Sequence, residues 1–467
     1  MKKTSKKIII GVVCVVLVIA LGVLGIFSPY LLSFVINDDS PKMVVFDGKT
    51  NSIEAPFSQY GEPIEFEDKN CGWFNYYAIE YSADCYVKVK FSYSAGVKKI
   101  TEEFFLEPTT DKNTFFSFVD GAMENKRGNK LESISLQSLS EGKNTISVYN
   151  FYVYNRAVPD REIFVEADNL KIGVDLLWGG ALSYVEDLDS NVQAVEVDGL
   201  IKVDSNASER YSAKVVNDNV NLINCNDTGR LVQQSYYGTL DYDYGVFMDN
   251  DWRYNPVQGG NQFNDASKIV DLKITDNSIY IKCRPLDWAK EKECITPSYM
   301  EATYSIENGA VHAKCRFVDF SGYPEAESSQ EIPAFYCIEP FNNFVYYAGD
   351  KPWQNEPLTN EPELIFWPDA GYPKFYNKEN WAAFTGEFED SFGIGVYVKG
   401  EEEFLAGVYN REQTDESDPS HDDPTSYIAI VKNRTFRSFE PFQYEYYLAT
   451  GNAGEIREAF RVINESK

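Results

Sequence analysis

Histidine is nearly absent: the 467 residues contain two, His312 and His421. That leaves little room for a His-rich metal centre or for several imidazole acid–base groups. Basic residues are also short, 43 Lys and Arg against 72 Asp and Glu, for a net charge of -29. Such a balance opposes the counterion release that drives nucleic-acid binding, and it disfavours broad contact with polyanions. No Cys-x-x-Cys repeat, phosphate-cradling loop, dinucleotide fingerprint or serine elbow occurs, so neither a structural metal nor a cofactor is expected. Asp241, Asp243, Asp249 and Asp251 do not follow a calcium-loop spacing and read as a solvated acidic loop. What is abundant is hydrocarbon: 43% of residues are hydrophobic and 15% aromatic. A chain of this length and composition buries large cores and predicts two or three domains.

Lys2, Lys3, Lys6 and Lys7 precede an uncharged apolar run at residues 8–27. As a helix that run crosses a hydrocarbon layer of roughly 30 Å. The positive flank keeps the amino terminus in the cytoplasm and sends everything beyond about Asp38 outside. The run is longer than the apolar core of a cleaved signal, and its exit lacks an Ala-x-Ala pattern. An uncleaved anchor in the lipid bilayer is therefore expected over residues 1–37. Without the four lysines the remainder carries -33 in place of -29. It holds seven cysteines, an odd number that forbids complete internal pairing. Cys283, Cys315 and Cys337 lie in apolar runs and read as small buried hydrophobes. Bridges Cys71–Cys85 and Cys283–Cys294 are the alternative.

Strand patterns dominate the rest. Val87, Val89, Phe91 and Tyr93 alternate with Lys88, Lys90 and Ser92, the period of a sheet with one wet face. Similar segments, spaced by Gly- and Asn-rich turns, predict a small antiparallel β-sandwich over residues 38–160. Residues 161–467 predict a larger all-β domain, with an Asn308-Gly309 hairpin turn. A short C-terminal helix is expected, capped by Asn452, with Ile456, Phe460 and Ile463 on one face.

Four segments carry a resemblance: GVDLLWGGALSY at 173–184, NDTGRLVQQSYY at 226–237, YNPVQGG at 254–260 and SSQEIPAFY at 328–336. They resemble a group of extracytoplasmic proteins of anaerobic Firmicutes whose large domain is similar to the galactose-mutarotase-like β-supersandwich. The resemblance implies a fold shared by sugar epimerases, glycoside hydrolases and polysaccharide lyases. The smaller sandwich resembles a galactose-binding-like jelly roll in outline. Epimerases on this scaffold use a histidine with a glutamate, which this chain is poorly equipped to supply. His421 sits in a Pro- and Asp-rich loop. His312 alternates with Lys314 and Arg316 on a polar strand face, where a satisfied or solvated imidazole is the ordinary reading.

Sugars offer hydroxyl pairs and flat C–H faces, which amides, guanidinium groups and aromatic rings match. Residues 227–264 are rich in these groups. The candidate sugar ligands are Arg230, Gln233, Gln234, Tyr237, Trp252, Asn255, Gln258 and Gln262, with Arg284 and Trp288 from a second cluster. Asp227, Glu331 and Tyr236 are the candidate catalytic groups, and Asp287 and Glu301 are further carboxylates for a hydrolytic pair. Trp353 and Trp367 are candidate aromatic walls. The competing reading is a set of networks that stabilise loops around tight Gly-Gly turns. The expectation is a membrane-anchored protein that binds a neutral glycan. The alternatives are a glycoside hydrolase or, less favoured by charge, a lyase, using paired carboxylates or a carboxylate with Tyr, and a surface adaptor that binds no sugar.

Overall fold

The computed structural model describes residues 38–44, 51–55, 61–66, 70–190, 193–197, 200–204, 214–217, 221–225, 227–291, 294–338, 340–361, 364, 374–386, 391–409 and 425–466. The expected membrane helix at 8–27, Trp367 and His421 lie outside them. Among the described residues no helix is long and apolar enough to cross a membrane. The chain divides into two compact units, residues 1–159 and 160–467.

In the first unit the period-2 pattern becomes two antiparallel sheets. Strands Asp38–Val44 and Asn51–Ala55 both pair with Asn144–Asn155, which is followed across the sheet by Tyr76–Ala83 and Thr109–Phe118. The second sheet runs Ile64–Glu65, Lys130–Ser138, Val87–Ala95, Lys98–Leu106. A chain that alternates between sheets in this order follows a jelly-roll path. Val87, Val89, Phe91 and Tyr93 are at most 1% exposed. Phe91 packs on Tyr77 and Phe151 of the facing sheet at ring distances of 4.9 and 5.2 Å, an aromatic core in which each ring buries a large apolar area.

The second unit is also built from antiparallel sheets. One runs Glu162–Ala167, Leu170–Asp175, Ala181–Asp187, Val232–Ser235, Ala326–Ile338, Thr425–Phe436, Glu403–Tyr409, Lys374–Tyr376. Two short strands, Pro256–Val257 and Leu286–Asp287, branch from Val232–Ser235. The other runs Lys268–Ile274, Ser278–Arg284, Ser298–Glu307, Ala310–Asp319, Phe442–Gly451, Gly393–Tyr397, Trp381–Thr385, Asn343–Tyr346, Thr359–Glu361. Asn308 and Gly309 take φ of 56° and 73°, the left-handed pair that a tight hairpin turn demands. The sheets meet closely where the chain reverses after Trp178. Gly180 has φ 63°, and a Cβ there would lie 2.6 Å from Ile281. Both the backbone angle and the lack of space require glycine.

The helix Ala453–Glu465 begins with a reciprocal capping box between Asn452 and Glu455. Ile456 and Phe460 are fully buried against Trp381, Tyr397 and Tyr447. Trp353 packs at the edge of this cluster, so it serves as core and not as a sugar-facing wall. Asn452→Ala is expected to lower stability by about 1 kcal/mol, read from the urea midpoint. No disulfide forms among the described cysteines. Cys283, Cys315 and Cys337 are buried as small apolar side chains, and burial pushes their thiols up.

Candidate functional site

The polar segment at 227–264 separates into three groups. In the first, the Asp227 carboxylate accepts from the backbone N–H of Gly229 and Arg230 at 2.8 and 3.0 Å and faces Arg230 Nε at 3.4 Å. Gln233 Nε2 donates to the carbonyls of Thr228 and Gly229, and its Oε1 accepts from Gly259 N at 2.7 Å. These three side chains tie one loop to the next.

The second group lies between the sheets. Gln234 Nε2 donates to Glu301 O at 3.0 Å, Tyr236 Oη donates to Gln234 Oε1 at 2.9 Å, and Gln258 Nε2 donates to Tyr304 Oη at 3.2 Å. Gln234 and Gln258 are 0% exposed, and Tyr236, at 1%, stacks on Phe317 at 4.3 Å. An amide is costly to bury without partners, and here the two sheets provide them. Tyr236 is therefore not placed as a catalytic group. Asp227, expected as a catalytic group, and Arg230, Gln233, Gln234 and Gln258, expected as sugar ligands, have their polar atoms bonded within the scaffold.

The third group converges on Glu331. Because Gln234 points to the second sheet, its neighbours Gln233 and Ser235 point away from it. Glu331 stands opposite Ser235 and Val431 in register and so shares that outer face with Ala334, Tyr336, Tyr427 and Ala429. Tyr427 Oη donates to Glu331 Oε1. The side chain of Gln330 grips the backbone of Tyr237 twice, accepting from its N–H at 2.7 Å and donating to its carbonyl at 2.9 Å. Trp252 Nε1 donates to Asn255 Oδ1 at 3.0 Å, and Asn255 Nδ2 donates to Ser235 Oγ at 3.2 Å and to Tyr236 O at 2.9 Å. Arg253 Nη1 donates to Ser328 Oγ at 2.8 Å.

Beside this face a hairpin, Gly245–Phe247 with Asn250–Trp252, carries a chain of rings. Tyr237 lies 6.4 Å from Trp252, Trp252 5.0 Å from Phe247, and Phe247 5.8 Å from Trp288. The hairpin is pinned by Gln262 Nε2, which donates to Val246 O at 2.7 Å. It is also pinned by the approach of Gly245, where a Cβ would sit 2.2 Å from Ala289 O. Arg284 belongs to the second sheet, opposite Lys268, and stands outside this group.

Burial raises the Glu331 carboxyl, against the pull of hydrogen bonds from Tyr427, Tyr237 and Ser235. The phenols of Tyr237 and Tyr427 are pushed well up, by burial first and by the Glu331 charge second. The arrangement is one carboxyl group between two tyrosines. None of the other predicted carboxylates pairs with it. Asp287 lies three strand steps away, about 14 Å at ~4.8 Å per step, beyond the roughly 5 to 9.5 Å of a hydrolytic pair. Glu301 sits on the second sheet, bonded to Arg316 and Tyr280. His312 is 3% exposed, with Nδ1 3.0 Å from Glu307 and Nε2 2.9 Å from Glu445. It is a satisfied strand histidine on the second sheet, whereas Glu331 lies on the first.

Asp287 is 2% exposed, and its Oδ1 takes no hydrogen bond among the described residues. Burial pushes its carboxyl from 3.8 up to about 6, against hydrogen bonding by Tyr242 and the charge of Lys290. A folded value above the unfolded one means that the folded protein holds the extra proton. The contribution to stability is complete below the unfolded value and is lost as the pH rises through about 6. Two pKa units correspond to about 3 kcal/mol. Asp287→Asn is expected to remove about that much of the fall in unfolding free energy across this interval. Urea unfolding at half-unit pH steps reads it, and an unchanged slope contradicts it.

No protein-family model matches the chain, and no curated protein matches it. Among solved structures it is similar to a galactose mutarotase related enzyme from Lactobacillus acidophilus, with 11% identity over 63% of this chain and 99% of that one and a TM-score of 0.35. It is similar to a galactose mutarotase-like protein from Clostridium acetobutylicum, with 12% identity over 62% and 95% and a TM-score of 0.34. It is also similar to a GH36 α-galactosidase from Geobacillus stearothermophilus, with 11% identity over 62% and 40% and a TM-score of 0.33. At such scores the likeness carries no argument for a reaction or a ligand.

Proposed function

We propose that the protein binds a neutral glycan over the Glu331 face of its larger unit, held at the outer side of the cell membrane by residues 8–27. The observation that carries the reading is the convergence of Glu331, Tyr237 and Tyr427, flanked by the Trp252 and Phe247 rings and the Arg253 guanidinium. A carboxyl group and phenols meet sugar hydroxyls, and the rings meet C–H faces. The charge of the chain supports a neutral ligand over a uronic polymer. The anchor rests on the uncharged apolar run and its four preceding lysines.

A second reading, proton transfer on that glycan, is favoured by the raised carboxyl of Glu331 beside the tyrosines. A carboxyl whose burial makes it hold its proton more tightly than usual is suited to act as a general acid, with a tyrosine as its counterpart. The pairing is carboxylate with Tyr, because the other predicted carboxylates lie elsewhere. Glycan-array binding by the full chain in detergent, followed by reducing-end and 235 nm absorbance assays on the glycans that bind, tests both. Absence of binding to any neutral glycan overturns the function. Binding without product leaves the binder and removes the second reading.

A further inference from the structure

The outer side of the second sheet holds a recess of about 360 Å³. Register sets two rows of polar side chains across four neighbouring strands there. One row reads Tyr280, Thr303, Lys314, Glu445, and the row two residues along reads Lys282, Glu301, Arg316, Gln443. At ordinary strand spacings the two rows cover about 14 by 7 Å. Of the intervening positions, Ala302 and Cys315 are small, and together with Tyr444 they line the recess from below.

The Glu301 row is locked. Glu301 accepts from Arg316 Nη1 at 3.0 Å and Tyr280 Oη at 3.1 Å and lies 3.3 Å from Lys282 Nζ, which also sits 4.4 Å over the Tyr299 ring. Burial raises the Glu301 carboxyl, but Lys282 and Arg316 outweigh it and hold it below its usual value. The other row is different. Lys314 and Glu445 stand opposite each other in register with complementary charge, the relation in which Lys90 and Glu103 form a 3.7 Å ion pair in the smaller unit. Here Glu445 is taken by His312 Nε2 at 2.9 Å. Among the described residues Lys314, Thr303 and Gln443 make no side-chain hydrogen bond. A fixed frame of donors and acceptors thus stands beside three groups left open toward the recess.

We propose that this recess is a second saccharide site, separate from the Glu331 face, which takes a short stretch of neutral glycan. The charges nearly balance, Lys282, Lys314 and Arg316 against Glu301 and Glu445, so the surface offers little net attraction to an ion. An ammonium group, an amide and a hydroxyl on neighbouring strands offer the mixed donors and acceptors that vicinal hydroxyls use. The Tyr280 ring, with Lys273 Nζ 5.6 Å from its centroid, lines the recess and adds aromatic surface for sugar C–H groups.

Calorimetric titration of the full chain in detergent with malto-, cello-, xylo- and β-1,4-galactohexaose tests the site. Two binding events are expected for at least one probe. Lys314→Ala with Gln443→Ala is expected to weaken one event at least tenfold and to leave the melting temperature unchanged, since both side chains are exposed. Glu331→Gln is expected to leave that event intact. The second site is overturned if the double substitution leaves every event unchanged, if only the Glu331 substitution affects binding, or if no probe binds. Loss of all binding in the double variant with no effect of Glu331→Gln supports this site and overturns the Glu331 reading instead.

Discussion

Arg457→Ala is expected to destabilise the larger unit by about 3 to 5 kcal/mol, the penalty for leaving one member of a buried ion pair alone. Glu379 is 0% exposed and Arg457 8%. Arg457 Nε and Nη2 meet the Glu379 carboxylate at 2.9 and 2.5 Å, and Nη1 donates to Glu356 O at 2.7 Å. The same carboxylate accepts from Trp381 Nε1 at 2.9 Å and from Trp353 N at 2.6 Å. The pair therefore fastens the C-terminal helix to the strand Trp381–Thr385 and to the segment before Thr359–Glu361. With alanine, the carboxylate keeps its two tryptophan donors but loses its countercharge in a dry site. Arg457→Lys restores the charge without the two-pronged geometry and is expected to recover less than half of the loss. Glu379→Gln with Arg457→Leu, which leaves no charge buried, is expected to recover more than half. Urea unfolding of the three variants orders them. Equal stability of Arg457→Ala and the native chain contradicts the account.

The fold was largely legible because its cues are local. Val87 to Tyr93 alternate, Asn308-Gly309 accepts positive φ, and Asn452 with Glu455 caps a helix; each of these is decided within a few residues. The division of the polar segment was not. Gln233 and Gln234 are adjacent and chemically identical, yet one ties loops together and the other crosses between the sheets. Composition marks both as costly to bury without a partner, but the partner, Gly229 O or Glu301 O, is fixed only by register. The competing reading of loop-stabilising networks thus describes Asp227, Arg230 and Gln233. Tyr427 escaped notice for the same reason. It lies in an apolar strand almost a hundred residues beyond Glu331, and nothing in the run Thr425–Phe436 signals that its hydroxyl meets a carboxyl group. Phe247 is one apolar residue among many in the sequence, and only the hairpin sets it between Trp252 and Trp288. Its Met248 and Asp249 turn, both at positive φ, lacks the glycine that announces such turns.

Glu331→Gln is expected to weaken glycan binding by about 1.5 to 3 kcal/mol, some 10- to 150-fold, the worth of a hydrogen bond to a charged group. If the glycan is also transformed, turnover falls by about 10² to 10⁴. The amide keeps the shape of the side chain and can still accept from Tyr427 Oη, so the local packing survives. The expected sign on stability separates a ligand-facing role from a structural one. Burial raises the Glu331 carboxyl, so its stability contribution is present at low pH and is lost as the pH rises through its folded-state value. A neutral side chain does not suffer that loss, and the variant should melt no lower than the native chain at pH 8. Binding lost with the melting temperature kept or raised places Glu331 in contact with the glycan. Binding and melting temperature lost together identify Glu331 as a scaffold residue like Gln234, and the sugar must then be sought elsewhere. Tyr427→Phe sharpens the result. It removes the donor to Glu331, raises the carboxyl further and is expected to shift the alkaline limb of any pH–rate profile upward, a displacement that a packing defect does not produce.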